Sequence, residues 1–238
     1  MLSRLSIIIL GSALVASAAA PVHAIELDAR RIASFNALAG ESAMRPSQDQ
    51  LQGFEEFINE STSAEGINLK RWTVQQLLVA APNIDLATIR SLSRYVNEST
   101  SLEGRRLKCE TLVVMFQGQP TLAAPDVDAL GALVDESTSI EGRALKARAM
   151  AQLVRAGFKL NGAQISAIAR FVNESTTIDG RSLKLNALFD FFHLQPVLSP
   201  RQIDHIAQFV NVATDLAARK AKIGFVVDTL KTNAAAFE

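Results

Sequence analysis

Apolar residues return along this chain in columns. In register, "SQDQLQGFEEFIN", "DLATIRSLSRYVN", "APDVDALGALVD", "NGAQISAIARFVN" and "SPRQIDHIAQFVN" align Leu51, Ile89, Val127, Ile165 and Ile203. Three residues on come Phe54, Leu92, Leu130, Ile168 and Ile206, and three further Phe57, Tyr95, Leu133, Phe171 and Phe209, each followed by an isoleucine or valine. The spacing i, i+3, i+6, i+7 is the buried stripe of an amphipathic helix. Ser199 before Pro200, Asp85 and Asn161 suit the N-caps of these helices.

Each stripe runs into a second recurring stretch. "NESTSLEGRRLK" begins at Asn97, with close copies at Asn59, Asp135 and Asn173, 38 residues apart, and a worn copy, "NVATDLAARKAK", at Asn211. Thr100, and likewise Thr62, Thr138 and Thr176, stands three residues before an acid, the spacing of a capping box. A second helix is therefore predicted from about Thr62 to Ala80 and at the equivalent positions. The Asn or Asp before "EST" suits a left-handed residue ending the first helix, so a very short turn would join two antiparallel helices. Leu69, Leu107, Leu145 and Leu183, then Val74, Leu112, Met150, Leu188 and Val226, form the core columns of the second helices. Gly66, Gly104, Gly142 and Gly180 lie one turn inside them, where glycine costs about 1 kcal/mol against alanine. Close helix approach would offset that cost, and Ala218 in the last copy points to small size as the requirement.

A fixed period of this length is the mark of a stacked array, since one hairpin cannot cover its own apolar face. The fold expected is all-α: an α-solenoid of five stacked helical hairpins with a 38-residue repeat, at about residues 47–80, 85–118, 123–156, 161–194 and 199–232. Ahead of this domain at 47–238, residues 25–46 would supply a capping helix, "LDARRIASFNALAG", and a linker.

Charge follows the same columns. Acids recur at Glu60, Glu98, Glu136 and Glu174 and at Glu65, Glu103, Glu141 and Asp179, with Val212 and Ala217 in the last copy. Arginine recurs at Arg105, Arg143, Arg181 and Arg219, with Ile67 in the first. The offset predicts that each arginine pairs with an acid of the preceding repeat, a task suited to its bidentate fork. Lysine occupies all five copies, at Lys70, Lys108, Lys146, Lys184 and Lys222. At 100° per residue it falls inside the apolar arc, so its ammonium must reach carbonyls or acids around the turn, or else water. A lysine edge facing water would instead offer a track for an anionic ligand, helped by the nearby helix N-termini.

The chain begins with Arg4, an apolar run and "PVHA", the pattern of a secretory signal at residues 1–24 cleaved near Ala24. The expected location is periplasmic or secreted, with no stable membrane anchor after cleavage. Without Arg4 there remain 23 basic and 24 acidic residues, a balance that argues against nucleic acid as partner. Asn59, Asn97 and Asn173 head N-x-S sequons, yet the repeat already explains each of them.

Chemistry-bearing motifs are sparse. Cys109 is the single cysteine, and only His193 and His205 follow the signal, so no metal or cofactor site is expected. No GxSxG, phosphate loop or HExxH occurs, and carboxylates repeated in every unit read as architecture, so no enzyme is expected. The reading is an interaction module for a protein or peptide, with binding on columns that vary between copies: Trp72, Gln76, Arg148, Gln152, Asn186 and Asp190. An anionic envelope polymer or small molecule along the lysine edge is the alternative.

Overall fold

The computed structural model describes residues 46–238. The secretory signal lies outside the described residues, as do the capping helix and linker apart from Pro46. The described residues are all-helical, in an order consistent with a helical repeat: α1 (Gln48–Asn59), α2 (Ala64–Ala80), α3 (Leu86–Asn97), α4 (Leu102–Gly118), α5 (Ala124–Asp135), α6 (Ile140–Arg155), α7 (Gly162–Asn173), α8 (Ile178–Leu194), α9 (Pro200–Asn211) and α10 (Leu216–Thr232). Each odd-numbered helix packs on the even one that follows it; odd helices also pack on the next odd helix, and even on the next even. Apolar columns from both series meet in one core, where Ile89, Val127, Ile165 and Ile203 are at most 2% exposed. Leu51 heads that column but is 51% exposed, because no earlier helix among the described residues covers it.

The turns inside each pair differ from expectation in two ways. The cap is one residue later than the threonine: Ser63, Ser101, Ser139 and Thr177 accept from the amides of Gly66, Gly104, Gly142 and Gly180. The acid then falls at the second helical position, where it suits the helix dipole but cannot complete a capping box. The glycine has a separate reason. A Cβ on Gly104 would stand 3.0 Å from Ser99 Oγ and 3.1 Å from Ser101 Oγ, and the other three copies repeat this crowding. It is the turn's own buried serine that presses on the helix, not a neighbouring helix. In the last copy that serine is Ala213, and Ala218 fits where the others need glycine. The second difference concerns the backbone: Glu60, Glu98, Glu136, Glu174 and Val212 end the first helices in right-handed conformation, and no left-handed Asn or Asp is present among the described residues.

A column of buried amides ties each pair to the loop beyond it. Gln50 Nε2 donates to the carbonyls of Pro82 and Ile84, Gln164 to Leu198, and Gln202 to Ala234 and Ala236. In the third copy Asp126 does the equivalent work by accepting from the Gly162 amide. These side chains satisfy backbone groups that would otherwise be buried without partners.

Candidate functional site

Lysines at the turns set the electrostatics of the molecule. Lys70, Lys108, Lys146 and Lys184 are at most 1% exposed. Their Nζ atoms are held from within: Lys70 and Lys108 donate to the carbonyls of Phe57 and Tyr95, both at 2.6 Å. Lys146 and Lys184 donate instead to Glu136 and Glu174, again at 2.6 Å. Partly buried Lys222 donates to Phe209 O at 2.8 Å, and four of the five lie over an aromatic ring. Burial pulls the pKa of the first four below the usual lysine value, and the neighbouring acids oppose that pull. The exposed lysine edge expected for an anionic ligand is therefore not formed, because desolvated ammonium groups find their acceptors inside the turn.

Where the lysine turns to an acid, the carbonyl it leaves is taken over by the next pair. Asn173 Nδ2 donates to Leu133 O, and Asn211 Nδ2 to Phe171 O, each at 3.4 Å. The same acid also receives the arginine of the next pair. Arg181 Nη2 stands 3.1 Å from Glu136 Oε2, and Arg219 Nη2 stands 3.0 Å from Glu174 Oε1. The earlier arginines behave differently. Arg105 and Arg143 donate Nε to the turn carbonyls of Ser99 and Ser137 and form no ion pair with Glu60 or Glu98. Glu60 accepts from Ser93 and lies 3.8 Å from Lys70; Arg143 is drawn to Asp135 at 3.9 Å. No ion pair involves Glu65, Glu103, Glu141 or Asp179 among the described residues, since all four sit in the first turns of the second helices.

A groove of about 500 Å³ lies along α4, α6 and α8. Three of the six residues expected to contact a partner line it together: Arg148, Gln152 and Asn186. All three are exposed, and Leu145, Ala149 and Phe189 form an apolar floor between them. Glu103 and Glu141 stand at its edge. The other three candidates are elsewhere: Trp72 is half-buried against the core, Gln76 is half-buried, and Asp190 is exposed outside the groove lining.

Other reactive groups are accounted for. Cys109 is fully buried, and burial raises its thiol to about 11, so it carries no thiolate at neutral pH. His193 Nδ1 lies 2.7 Å from Phe189 O and His205 Nδ1 lies 2.8 Å from Phe237 O; a carbonyl only accepts, so both nitrogens carry hydrogen. No cluster of three or more His, Cys, Asp or Glu suited to a metal ion occurs among the described residues, and no described helix is long and apolar enough to cross a membrane.

A set of ion pairs along the first helices escaped the sequence reading. Glu56 meets Arg90, Arg94 meets Asp128, and Arg170 meets Asp204, each pair joining consecutive odd helices. The sign reverses between the first pair and the others, so neither column shows a fixed charge. Comparison with family models, curated proteins and solved structures gives no match to this chain.

Proposed function

We propose that residues 47–238 form a five-hairpin α-solenoid, exported to the periplasm or beyond, that acts without catalysis as a binding module for a protein or peptide. Stacked helical pairs offer extended surfaces for such partners. The observation that carries the reading is the convergence of Arg148, Gln152 and Asn186 around the apolar floor of Leu145 and Phe189. A floor of this kind accepts an apolar side chain of a peptide, while the guanidinium and two amides fix its polar groups.

The test places a photo-crosslinking residue at Gln152, with Arg201 on α9 as the control position, in mature protein returned to its native envelope. The expected result is one protein crosslinked from Gln152 and not from Arg201. Its affinity for the purified chain should then fall at least about tenfold, roughly 1.4 kcal/mol, on Arg148→Glu. Equal crosslinking from both positions, or affinity indifferent to Arg148→Glu, would overturn the reading.

A further inference from the structure

The junction between the second and third helix pairs departs from the repeat in several columns at once. Tyr95 stands where the other four copies carry phenylalanine or leucine, Asp135 where they carry asparagine, and Gly131 where they carry Glu55, Ser93, Ala169 and Ala207. These residues come together in a groove of about 490 Å³ between α3 and α5, which Glu98 also lines. It belongs to the first-helix series and is separate from the groove around Arg148.

The groove holds polar atoms that the protein itself leaves unused. Tyr95 is 3% exposed, and its hydroxyl meets no hydrogen-bond partner among the described residues. Asp135 has a side chain only 10% exposed; its Oδ1 lies 2.6 Å from Lys108 Nζ, and its buried Oδ2 meets no hydrogen-bond partner among the described residues. Glu98 lacks the arginine that its equivalents Glu136 and Glu174 receive, and no base pairs with it within 4.0 Å among the described residues. The remaining charges along the groove are engaged: Arg94 with Asp128, and Glu136 with Lys146 and Arg181. Gly131 adds no side chain to this space. A Cβ there would lie 3.5 Å from Tyr95 Cδ2 and 4.0 Å from Asp135 Oδ2.

We propose that this groove binds a primary alkylammonium group, held by Glu98, by Asp135 Oδ2 and by the phenolic oxygen of Tyr95. An ammonium head carries three donors and no acceptor, which matches three acceptor-bearing side chains lining one groove. A guanidinium fork instead favours a single carboxylate. Lys108 and Arg143 both face Asp135, so Glu98 is the carboxylate of the two that is left without a base. The Asp135 carboxyl beside Glu98 raises the Glu98 pKa. An arriving cation favours the ionised carboxylate and so opposes that shift. The ammonium can belong to a free alkylamine or to a lysine side chain of a partner.

The test titrates mature full-length chain with n-butylammonium chloride and, in parallel, with a short peptide carrying one central lysine, by calorimetry. Sodium chloride at equal ionic strength is the blank. Three substitutions each restore a residue that another copy carries at the same depth, so each is compatible with the fold: Asp135→Asn, Tyr95→Phe and Gly131→Ala. Saturable binding is expected for wild type, weakened at least about tenfold by Asp135→Asn and more mildly by the other two. Tighter binding of the peptide would assign the ammonium to a partner's lysine; equal or tighter binding of n-butylammonium would assign it to a free amine. No saturable binding by either probe, or binding unchanged in folded Asp135→Asn protein, would overturn the proposal. None of these residues lines the groove around Arg148, so either site can fail without the other.

Discussion

Two neighbouring junctions of this molecule solve the same problem differently. Between the third and fourth pairs, Glu136 sits between Lys146 of its own pair and Arg181 of the next, and Asn173 donates to the carbonyl of Leu133. Between the second and third pairs, the asparagine is Asp135, which cannot donate. Lys108 therefore keeps the Tyr95 carbonyl and takes the Asp135 carboxylate as well. Arg143 leans toward Asp135, and Glu98 is left beside another acid. This amide-to-acid exchange, isosteric but opposite in hydrogen-bonding capacity, accompanies the re-routing of a lysine, an arginine and a glutamate; at the first junction Asn97 donates to Ser93 instead, and Lys70 keeps the Phe57 carbonyl. Junctions in a repeat array are thus tuned by networks, and a column read alone does not reveal the partner.

The largest expected effect comes from removing the lysines. Lys108→Met leaves Asp135 buried against Glu98 with no ammonium, and breaking a buried pair in this way costs about 3 kcal/mol. Lys146→Met should cost about half as much, because Glu136 is 40% exposed and retains Arg181. Urea unfolding of both variants measures the difference. Adding Asp135→Asn should restore most of the stability lost by Lys108→Met, since the stranded charge disappears. Equal losses in the two lysine variants would show that the junctions do not differ in the way described.

Next come the arginines. Arg181 has a side chain 10% exposed and holds Glu136 with two contacts, so Arg181→Ala should cost about 1–2 kcal/mol. Arg143, 24% exposed and at 3.9 Å from its acid, should cost less on the same substitution. A thermal-melt series of the two variants decides the order; Arg143→Ala as the more damaging change would reverse the assignment of the strong bridge.

Acidity sharpens the contrast further. The Asp135 carboxyl beside it raises the folded-state pKa of Glu98 above its ordinary value of 4.5. The folded chain therefore holds the proton more tightly than the unfolded chain, and stability rises where that proton is bound. This contribution is fully present below pH 4.5 and is lost as pH climbs through the folded pKa. Asp135→Asn should remove the loss, seen as a flatter dependence of the urea midpoint on pH, whereas Asn173→Asp should introduce one at the next junction.

How much of this could be read from residues alone depends on whether a feature repeats. The helices and their apolar columns stood in the sequence because every copy shares them, and burial demands the same spacing each time. Buried lysine was legible as a question, since its wheel position lies on the apolar arc, but its acceptor was not: it is a carboxylate only where the asparagine of the next pair donates to the carbonyl instead. The pairs Glu56 with Arg90 and Arg94 with Asp128 were hidden because compensation runs across a junction while charge in each column varies. Of the variable positions taken as contacts, Arg148, Gln152 and Asn186 gather in one groove, while Trp72 contributes to packing instead. The Tyr95 groove was missed for the opposite reason, because Tyr95, Gly131 and Asp135 deviate singly in different columns and only folding brings them together.

The smallest effect tests the turn that both junctions share. In Gly104→Ala, helix propensity gains about 1 kcal/mol, but the new Cβ meets Ser99 Oγ at 3.0 Å and Ser101 Oγ at 3.1 Å. Crowding of this kind costs about 1–3 kcal/mol, so the net change should be a modest loss. Ser99→Ala removes the buried hydroxyl, which has no hydrogen-bond partner, and reproduces the pairing of Ala213 with Ala218 found in the last copy. The double variant should therefore be more stable than Gly104→Ala alone, with a favourable coupling of about 0.5–1 kcal/mol in a double-mutant cycle. The corresponding cycle at Ser137 and Gly142, across the neighbouring junction, should give the same coupling, because the turn geometry is common to both. Couplings that differ between the two would mean that the acid pair at Glu98 and Asp135 distorts its own turn, and that the contrast between the junctions reaches the backbone.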